Sequence, residues 1–356
     1  MTRNGMLVCK GVNPAKNIGD YIQSLCAELF FESIDCLLER ERLDSYNSIG
    51  ERTKVIMNGW FMHNPRNWPP GEAIDPLLIS FHITPDVVTK MLTPDGIAYL
   101  RKHGPVGCRD TGTERILNEF NIPCYFSGCL TLALGDKFSR ANRSQSVMFV
   151  DPNFEHFFLR DGRFSLLPCL RRLLIILANL KIIYRIGLKF DQEWYRKFIN
   201  AASFYSVYSR RFSDAVLLDA EYVSHSVKRS SYPTETAMLE HAREFLKKYA
   251  ESRLVITSRL HCALPCLGMG TPVIFITSES LESDHPIRKG GMGRFGGLLE
   301  LLRVMRYEWN GLTTKDPELS TIRGKITSAT NVSNRQDYLG MKHELIRQCR
   351  AFADKI

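Results

Sequence analysis

The sequence predicts an α/β fold of two Rossmann-like domains facing a cleft, and three observations carry that prediction. Short apolar runs alternate with helix-spaced segments through the first part of the chain, the pattern of a doubly wound parallel sheet. The pattern stops in a polar stretch, Leu134–Ser146, and resumes at Val147–Val150. Further on, Leu254–Thr257 and Val273–Ile276 bracket small and apolar residues ending in Gly-Met-Gly, which reads as a strand–turn–helix–strand unit.

Met6–Lys10, Lys54–Met57, Leu77–Phe81, Pro105–Cys108 and Pro123–Phe126 read as strands of the first domain. Between them, Ile18–Phe31, Pro94–His103 and Gly112–Phe120 have helical spacing. Thr111 and Thr113 offer caps to the last of these helices, and Glu114 suits its first turn. Gly, Lys, Ser, Arg and Asn cluster in Leu134–Ser146, which predicts a linker. The domains are therefore expected at 1–140 and 146–335, with 336–356 as a last helix crossing back to the first domain. In the second domain, Thr234–Tyr249 carries an apolar stripe of Met238, Ala242, Phe245 and Tyr249, and Thr234 with Glu235 suits its start. Pro265 would disrupt a helix interior, so the next helix is expected to begin near His261 or Cys262. Arg259 and His261 then stand at its N-terminal end, where backbone amides and the helix dipole favour anions.

At 356 residues the chain is long enough for two domains, and 44% hydrophobic with 24% charged residues is the balance of a globular enzyme, not of a disordered chain. A net charge of +9 favours anionic partners. The basic residues are dispersed, not set in a recognised motif, so no nucleic-acid partner is expected. The ten cysteines lack paired metal spacing and most sit in apolar runs, which predicts reduced thiols and a cytoplasmic location. The first apolar run is too short for a signal peptide. Residues 166–189 are apolar and cationic without a single acid. Their longest unbroken apolar run, Leu173–Ala178, falls far short of the roughly 20 residues a spanning helix needs. Basic residues interleaved with Leu and Ile suit a helix lying in an anionic membrane interface, which would make the protein peripheral on the inner face of the cytoplasmic membrane. The alternative is a helix buried in its own domain.

Ligands of open parallel sheets bind past the carboxyl ends of strands, which draws attention to Ser258, Arg259 and His261. An imidazole there can give or take a proton, and a guanidinium can clamp a carboxylate or phosphate. A helix-capping histidine and a surface ion pair are the plainer alternatives. Arg109 and Asp110 close another strand; they either reach the cleft or hold the following helix start. Asp20 follows Gly19 in the first strand-to-helix turn, as a base, a hydroxyl acceptor or an N-cap. Gly290–Gly297, with Arg288, Lys289 and Arg294, can approach phosphate closely yet matches neither a phosphate loop nor a dinucleotide fingerprint. It reads as a loop over an anion site or as a surface turn. In Asn58–Pro70, Trp60 and Trp68 could stack on a sugar face while Asn58, His63 and Asn64 reach hydroxyls; such aromatics also pack loops. His82 and His225 are further candidates near strand ends, and a structural role is the favoured reading of each. No carboxylate cluster calls for a metal, and no cofactor is expected.

Several of these segments together resemble one family. Thr257-Ser-Arg-Leu-His261 followed by Gly270-Thr-Pro-Val-Ile-Phe275 resembles the C-terminal motif of the polysaccharide pyruvyl transferases. Asn17-Ile-Gly-Asp20, Cys108-Arg109-Asp110 and Ser127-Gly-Cys-Leu-Thr131 are similar to its other landmarks, in the same order. The resemblance spans roughly residues 6–300 and is weak between 155 and 215. It implies a glycosyltransferase-B-like arrangement, with the first domain on the acceptor-sugar side and the second on the phosphoenolpyruvate side. It also implies transfer of a pyruvyl group from phosphoenolpyruvate to two hydroxyls of a sugar in bacterial surface polysaccharide synthesis, the acceptor often being linked to a lipid diphosphate. On that reading His261, Asp20 and Asp110 are the acid–base candidates, and Arg259, Arg109, Arg294, Ser258, Asn17, Trp60 and His63 bind substrate. A glycosyltransferase using a nucleotide-sugar donor and a non-catalytic membrane-surface accessory of polysaccharide assembly are the competing expectations.

Overall fold

Two six-stranded sheets organise the chain. The computed structural model describes residues 2–10, 15–48, 50–154, 166–191, 194–278, 295–308 and 311–355. The strands are, in order, β1 (Arg3–Val8), β2 (Ala15–Asn17), β3 (Cys36–Glu39), β4 (Thr53–Phe61), β5 (Ile74–Ile83), β6 (Val106–Cys108), β7 (Cys124–Phe126), β8 (Val147–Val150), β9 (Glu221–Val223), β10 (Ser226–Lys228), β11 (Leu254–Thr257), β12 (Val273–Ser278), β13 (Arg303–Glu308) and β14 (Gly311–Thr313). The first sheet runs β3-β1-β4-β5-β6-β7 with every pair parallel. The second runs β14-β13-β12-β11-β8-β9 and is parallel except for β14 at its edge. This is the two-Rossmann, glycosyltransferase-B-like α/β class. The central strands β11 and β12 are buried along their whole length, as expected of apolar strands covered on both faces.

Strand order reverses once in each sheet. From β1 the first sheet grows outward to β3 on one side and to β4 through β7 on the other. From β8 the second sheet grows to β9 on one side and to β11 through β14 on the other. The two reversal points, β1/β4 and β8/β11, are where an open α/β sheet leaves a crevice for ligand.

The largest buried cluster joins the two sheets into one core. It draws on Ile18–Ala27 and Leu130–Leu134 from the first half, the helices Glu235–Glu251 and Leu260–Gly268 from the second, and the last helix, Leu339–Ala353. Phe352 stacks edge-on against Phe31, and Lys54 Nζ donates to the Ala353 carbonyl at 2.9 Å, so the last helix lies on the first sheet. The helix Leu260–Gly268 packs so closely that a Cβ at Gly268 would stand 2.1 Å from the Leu132 carbonyl oxygen.

Several local expectations change. The helix expected from Ile18 to Phe31 is α-helical only over Ile18–Ser24 and tightens into a 3₁₀ turn over Leu25–Leu29. The helix Thr111–Glu119 is capped by Asp110, whose carboxylate accepts from the Thr113 amide, not by Thr111 or Thr113. The helix at 260–268 keeps Pro265 inside it and starts at Leu260. Pro265 cannot donate the interior hydrogen bond, a cost of about 3 kcal/mol, but the helix is buried along nearly its full length and packing outweighs it. The first part of the expected linker is ordered as the short α-helix Gly135–Phe138, which follows the 3₁₀ turn Leu130–Leu134. The segment 166–189 is two helices, Leu166–Ala178 and Leu180–Leu188, broken at Asn179, whose side chain turns back to the Ile175 carbonyl. The last helix begins at Leu339 instead of Gln336.

Candidate functional site

The crevice between β1 and β4 is lined by a compact polar group. The helix Ile18–Ser24 follows β1 and β2 and is capped by Asn17, whose Oδ1 accepts from the Gly19 amide at 3.1 Å. Asn17 therefore holds the N-cap and Asp20 stands in the first turn. Asp20 Oδ1 lies 3.5 Å from Arg40 Nη1. Arg40 is almost wholly buried just after β3; its guanidinium lies 5.7 Å from the centroid of Trp60 and donates to Cys9 Sγ at 3.1 Å. Burial opposes the arginine's charge, but Asp20, Cys9 and Glu41 more than compensate and hold it protonated. Trp60, at the end of β4, is half-buried; exposed His63 meets it edge-on with centroids 4.4 Å apart, and its Nε1 donates to Thr84. Trp68 belongs elsewhere. It is buried between Phe61 and Phe81 and offers no face to a ligand, and Asn58 spends its amide on the Gln23 carbonyl.

The crevice between β8 and β11 holds the second group. Asp151 follows β8 with φ of +39°, a conformation uncommon outside glycine and best tolerated by Asn and Asp. One oxygen, Oδ2, accepts from the His225 amide at 3.0 Å and from Arg259 Nε at 2.9 Å. Arg259 is the N-cap residue of the helix Leu260–Gly268, and its side chain is 48% exposed, so the ion pair orients the guanidinium without hiding it. Ser258 is engaged: its Oγ donates to the Ile276 carbonyl at 2.7 Å and accepts from the Asn153 amide at 2.8 Å. His225 is buried, with Nε2 2.6 Å from Tyr249 Oη.

The two crevices meet at Gly19 and His261. A Cβ built on Gly19 would stand 3.1 Å from His261 Cβ and 3.2 Å from Nδ1. His261, half-buried as a residue but with its ring Nε2 buried, thus rests from the first turn of the helix Leu260–Gly268 on the first turn of Ile18–Ser24, one residue from Asp20. The approach is fixed by a backbone stitch. β2 pairs antiparallel with β10, setting Asn17 opposite Ser226, and the Ile18 amide donates to the His225 carbonyl at 2.9 Å. Tyr21 adds a bridge, hydrogen-bonding Glu235 at 2.5 Å across the halves.

Arg109 and Asp110 do not join this meeting point. They close β6, two strands away from the β1/β4 reversal, and both are buried. Asp110 Oδ2 lies 2.7 Å from His82 Nδ1 and 3.3 Å from Arg109 Nε, while Oδ1 accepts from the amide and hydroxyl of Thr113. Burial raises the carboxyl's pKa, but His82, Arg109 and the Thr113 amide prevail and hold it below the ordinary value. The neighbouring Thr111 amide reaches the Gly296 carbonyl at 3.3 Å, so the described end of the glycine-rich run touches this strand end. Arg294 and the rest of that run lie outside the described residues.

Arg40 and Asp151 are members that sequence reasoning did not assign to the site. Arg40 stands in an ordinary charged stretch, and Asp151 is over a hundred residues from Arg259, so no local spacing announces either. Among the described residues, no group of three His, Cys, Asp or Glu side chains is arranged to hold a metal ion.

Comparison with known proteins places this architecture. The sequence model of the family described as polysaccharide pyruvyl transferase matches residues 17–280, from the cap of the first helix to just past β12. Neither the curated proteins nor the solved structures gave a match.

Proposed function

The chain belongs to the polysaccharide pyruvyl transferase family, and from that premise we propose that it moves a pyruvyl group from phosphoenolpyruvate to two hydroxyls of one sugar of a surface polysaccharide. The products are a cyclic ketal and inorganic phosphate. The observation that carries the reading is the contact of His261 with Gly19, because it brings an imidazole from one sheet's crevice to the polar group of the other.

Phosphoenolpyruvate presents a carboxylate and a phosphate. Asp151 holds Arg259 through Nε, which leaves the Nη edge of an exposed guanidinium for one of those anions. The backbone amides at the start of the helix Leu260–Gly268 add positive potential beside it. On the other side, Trp60 supplies a platform for a sugar face, with His63 and Asp20 within the same crevice for its hydroxyls.

His261 protonates the methylene carbon of phosphoenolpyruvate, and C2 becomes electrophilic. A sugar hydroxyl attacks C2 and yields its proton to Asp20. The C2–O bond to phosphate then breaks and phosphate leaves with the electron pair. The second hydroxyl adds to C2 and passes its proton to the now-neutral His261 imidazole, closing the ketal, and the departing phosphate takes up the proton held by Asp20. Asp110 is not the base in this scheme, because its carboxylate is buried and already bonded to His82, Arg109 and Thr113. General acid–base help of this kind contributes about 10²–10⁴-fold.

The test is phosphate release from phosphoenolpyruvate by the purified chain with lipid-linked and simple sugar acceptors, followed by mass analysis of the acceptor. Release that requires an acceptor, with a mass gain matching a pyruvyl ketal, supports the reading. Turnover of a nucleotide sugar, with no binding of phosphoenolpyruvate, would replace it with glycosyl transfer.

A further inference from the structure

We infer that the outer face of the helices Leu166–Ala178 and Leu180–Leu188 is a docking surface for an anionic lipid bilayer. This inference does not depend on the pyruvyl-transfer chemistry. Among the described residues, the exposed large hydrophobic side chains other than Leu37 and Leu339 all lie between Leu170 and Ile199. On the first helix, Leu170, Leu173, Leu174 and Leu177 fall at i, i+3, i+4 and i+7, one continuous stripe, with Leu174 66% exposed. On the second, Leu180, Tyr184 and Leu188 repeat every four residues, and Leu188 is 59% exposed.

The opposite faces are already satisfied. Ile183 and Ile186 are buried in the core of the second half, and Arg172 is buried with Nε 2.9 Å from Ser206 Oγ. The leucine stripes are therefore turned outward while the helices keep a separate, packed inner face. Stripes of this size on a soluble face mark a contact surface.

Charge selects the occupant. No acid occurs between Asp161 and Asp191, and Arg171, Lys181 and Arg185 are exposed beside the leucines. A second copy docking symmetrically would set these cations against themselves. An anionic bilayer instead receives the leucines among its acyl chains and pairs the cations with its headgroups. No helix among the described residues is long and apolar enough to cross a membrane, so the contact is with the surface. In chain order these helices are the next described elements after β8, the strand whose end carries Asp151 and through it Arg259.

The experiment is co-sedimentation of the full chain with vesicles of phosphatidylcholine alone and of phosphatidylcholine with phosphatidylglycerol, at low and high salt. Binding is expected to the anionic vesicles only and to weaken with salt. K181Q/R185Q should weaken it about 25-fold, from about fivefold per cation. L174S/L177S should weaken it about tenfold or more per leucine. Both variants alter exposed positions, and an unchanged melting temperature and secondary structure will establish that they fold. Absence of binding by the parent chain would overturn the inference. Equal binding to neutral vesicles, or binding that both variants retain, would overturn it too. So would self-association of the parent chain that L174S/L177S abolishes in the absence of vesicle binding.

Discussion

Two arginine–aspartate pairs stand at the ends of parallel strands, and the protein treats them oppositely. Arg109–Asp110 closes β6, away from the point where the first sheet reverses its order, and it is sealed in with His82 and Thr113. Arg259–Asp151 spans β11 and β8, on either side of the second sheet's reversal, and its guanidinium is half exposed with His261 two residues on. The same residue types make a buried rivet in one place and an open, half-exposed pair in the other. What separates them is position relative to the crevice and burial, neither of which can be read from a strand followed by Arg-Asp or Ser-Arg.

The comparison can be broken by substitution. The largest effect is expected at the rivet. Asp110→Ala leaves the Arg109 guanidinium buried without its counter-charge, and denaturant unfolding should show a loss of about 3–5 kcal/mol. Arg259→Ala, at the exposed pair, should leave unfolding nearly unchanged and raise the KM for phosphoenolpyruvate about 10–100-fold, the range for hydrogen bonds to charged groups. A rise in KM with Asp110→Ala but none with Arg259→Ala would reverse the assignment.

Smaller changes sharpen it. In Gly19→Ala the new Cβ must push His261 by a few tenths of an ångström, while alanine favours the helix by up to about 1 kcal/mol. The expected outcome is a melting temperature at or above that of the parent and a kcat lower by about tenfold, since a displacement near 1 Å can cost about 100-fold. The rivet also has a pH signature. The folded pKa of Asp110 lies below its unfolded value, so its contribution is fully present above about pH 4 and is lost as pH falls through the folded value. In Asp110→Asn the acid limb of the stability profile should flatten; an unchanged limb would mean that the carboxylate contributes nothing there.

Much of the fold was legible because its signals are local. The buried runs of β11 and β12 and the cap of the helix Glu235–Glu251, where Thr234 accepts from the Ala237 amide, stand in the structure as the sequence predicts. Two strands at or next to a sheet edge were not legible. Cys36–Glu39, at the edge, is short, polar at one end and partly exposed, and the Arg303–Glu308 strand, one in from the edge, carries charge at Arg303, Arg306 and Glu308. Neither carries the apolar run that marks a buried strand. At the site, His261, Arg259 and Asp20 announce themselves by standing just past strands or in helix first turns. Their partners do not. Arg40 and Asp151 become members only because β3 and β8 deliver them, and Gly19 gains its meaning only when His261 arrives from the other half. Trp68 was indistinguishable from Trp60 in sequence; the core claims the first and leaves the second at the crevice.

The most direct measurement compares two histidines, each beside one of the two pairs. Acceptor-dependent phosphate release and thermal unfolding should be recorded side by side for His261→Gln and His82→Gln. The account predicts that His261→Gln loses about 10²–10⁴-fold in kcat with its melting temperature unchanged, and that His82→Gln melts earlier but turns over at near-parent rate per folded molecule. Near-parent turnover by His261→Gln, together with loss of turnover by a fully folded His82→Gln, would contradict it and move the chemistry to the buried group of the first half.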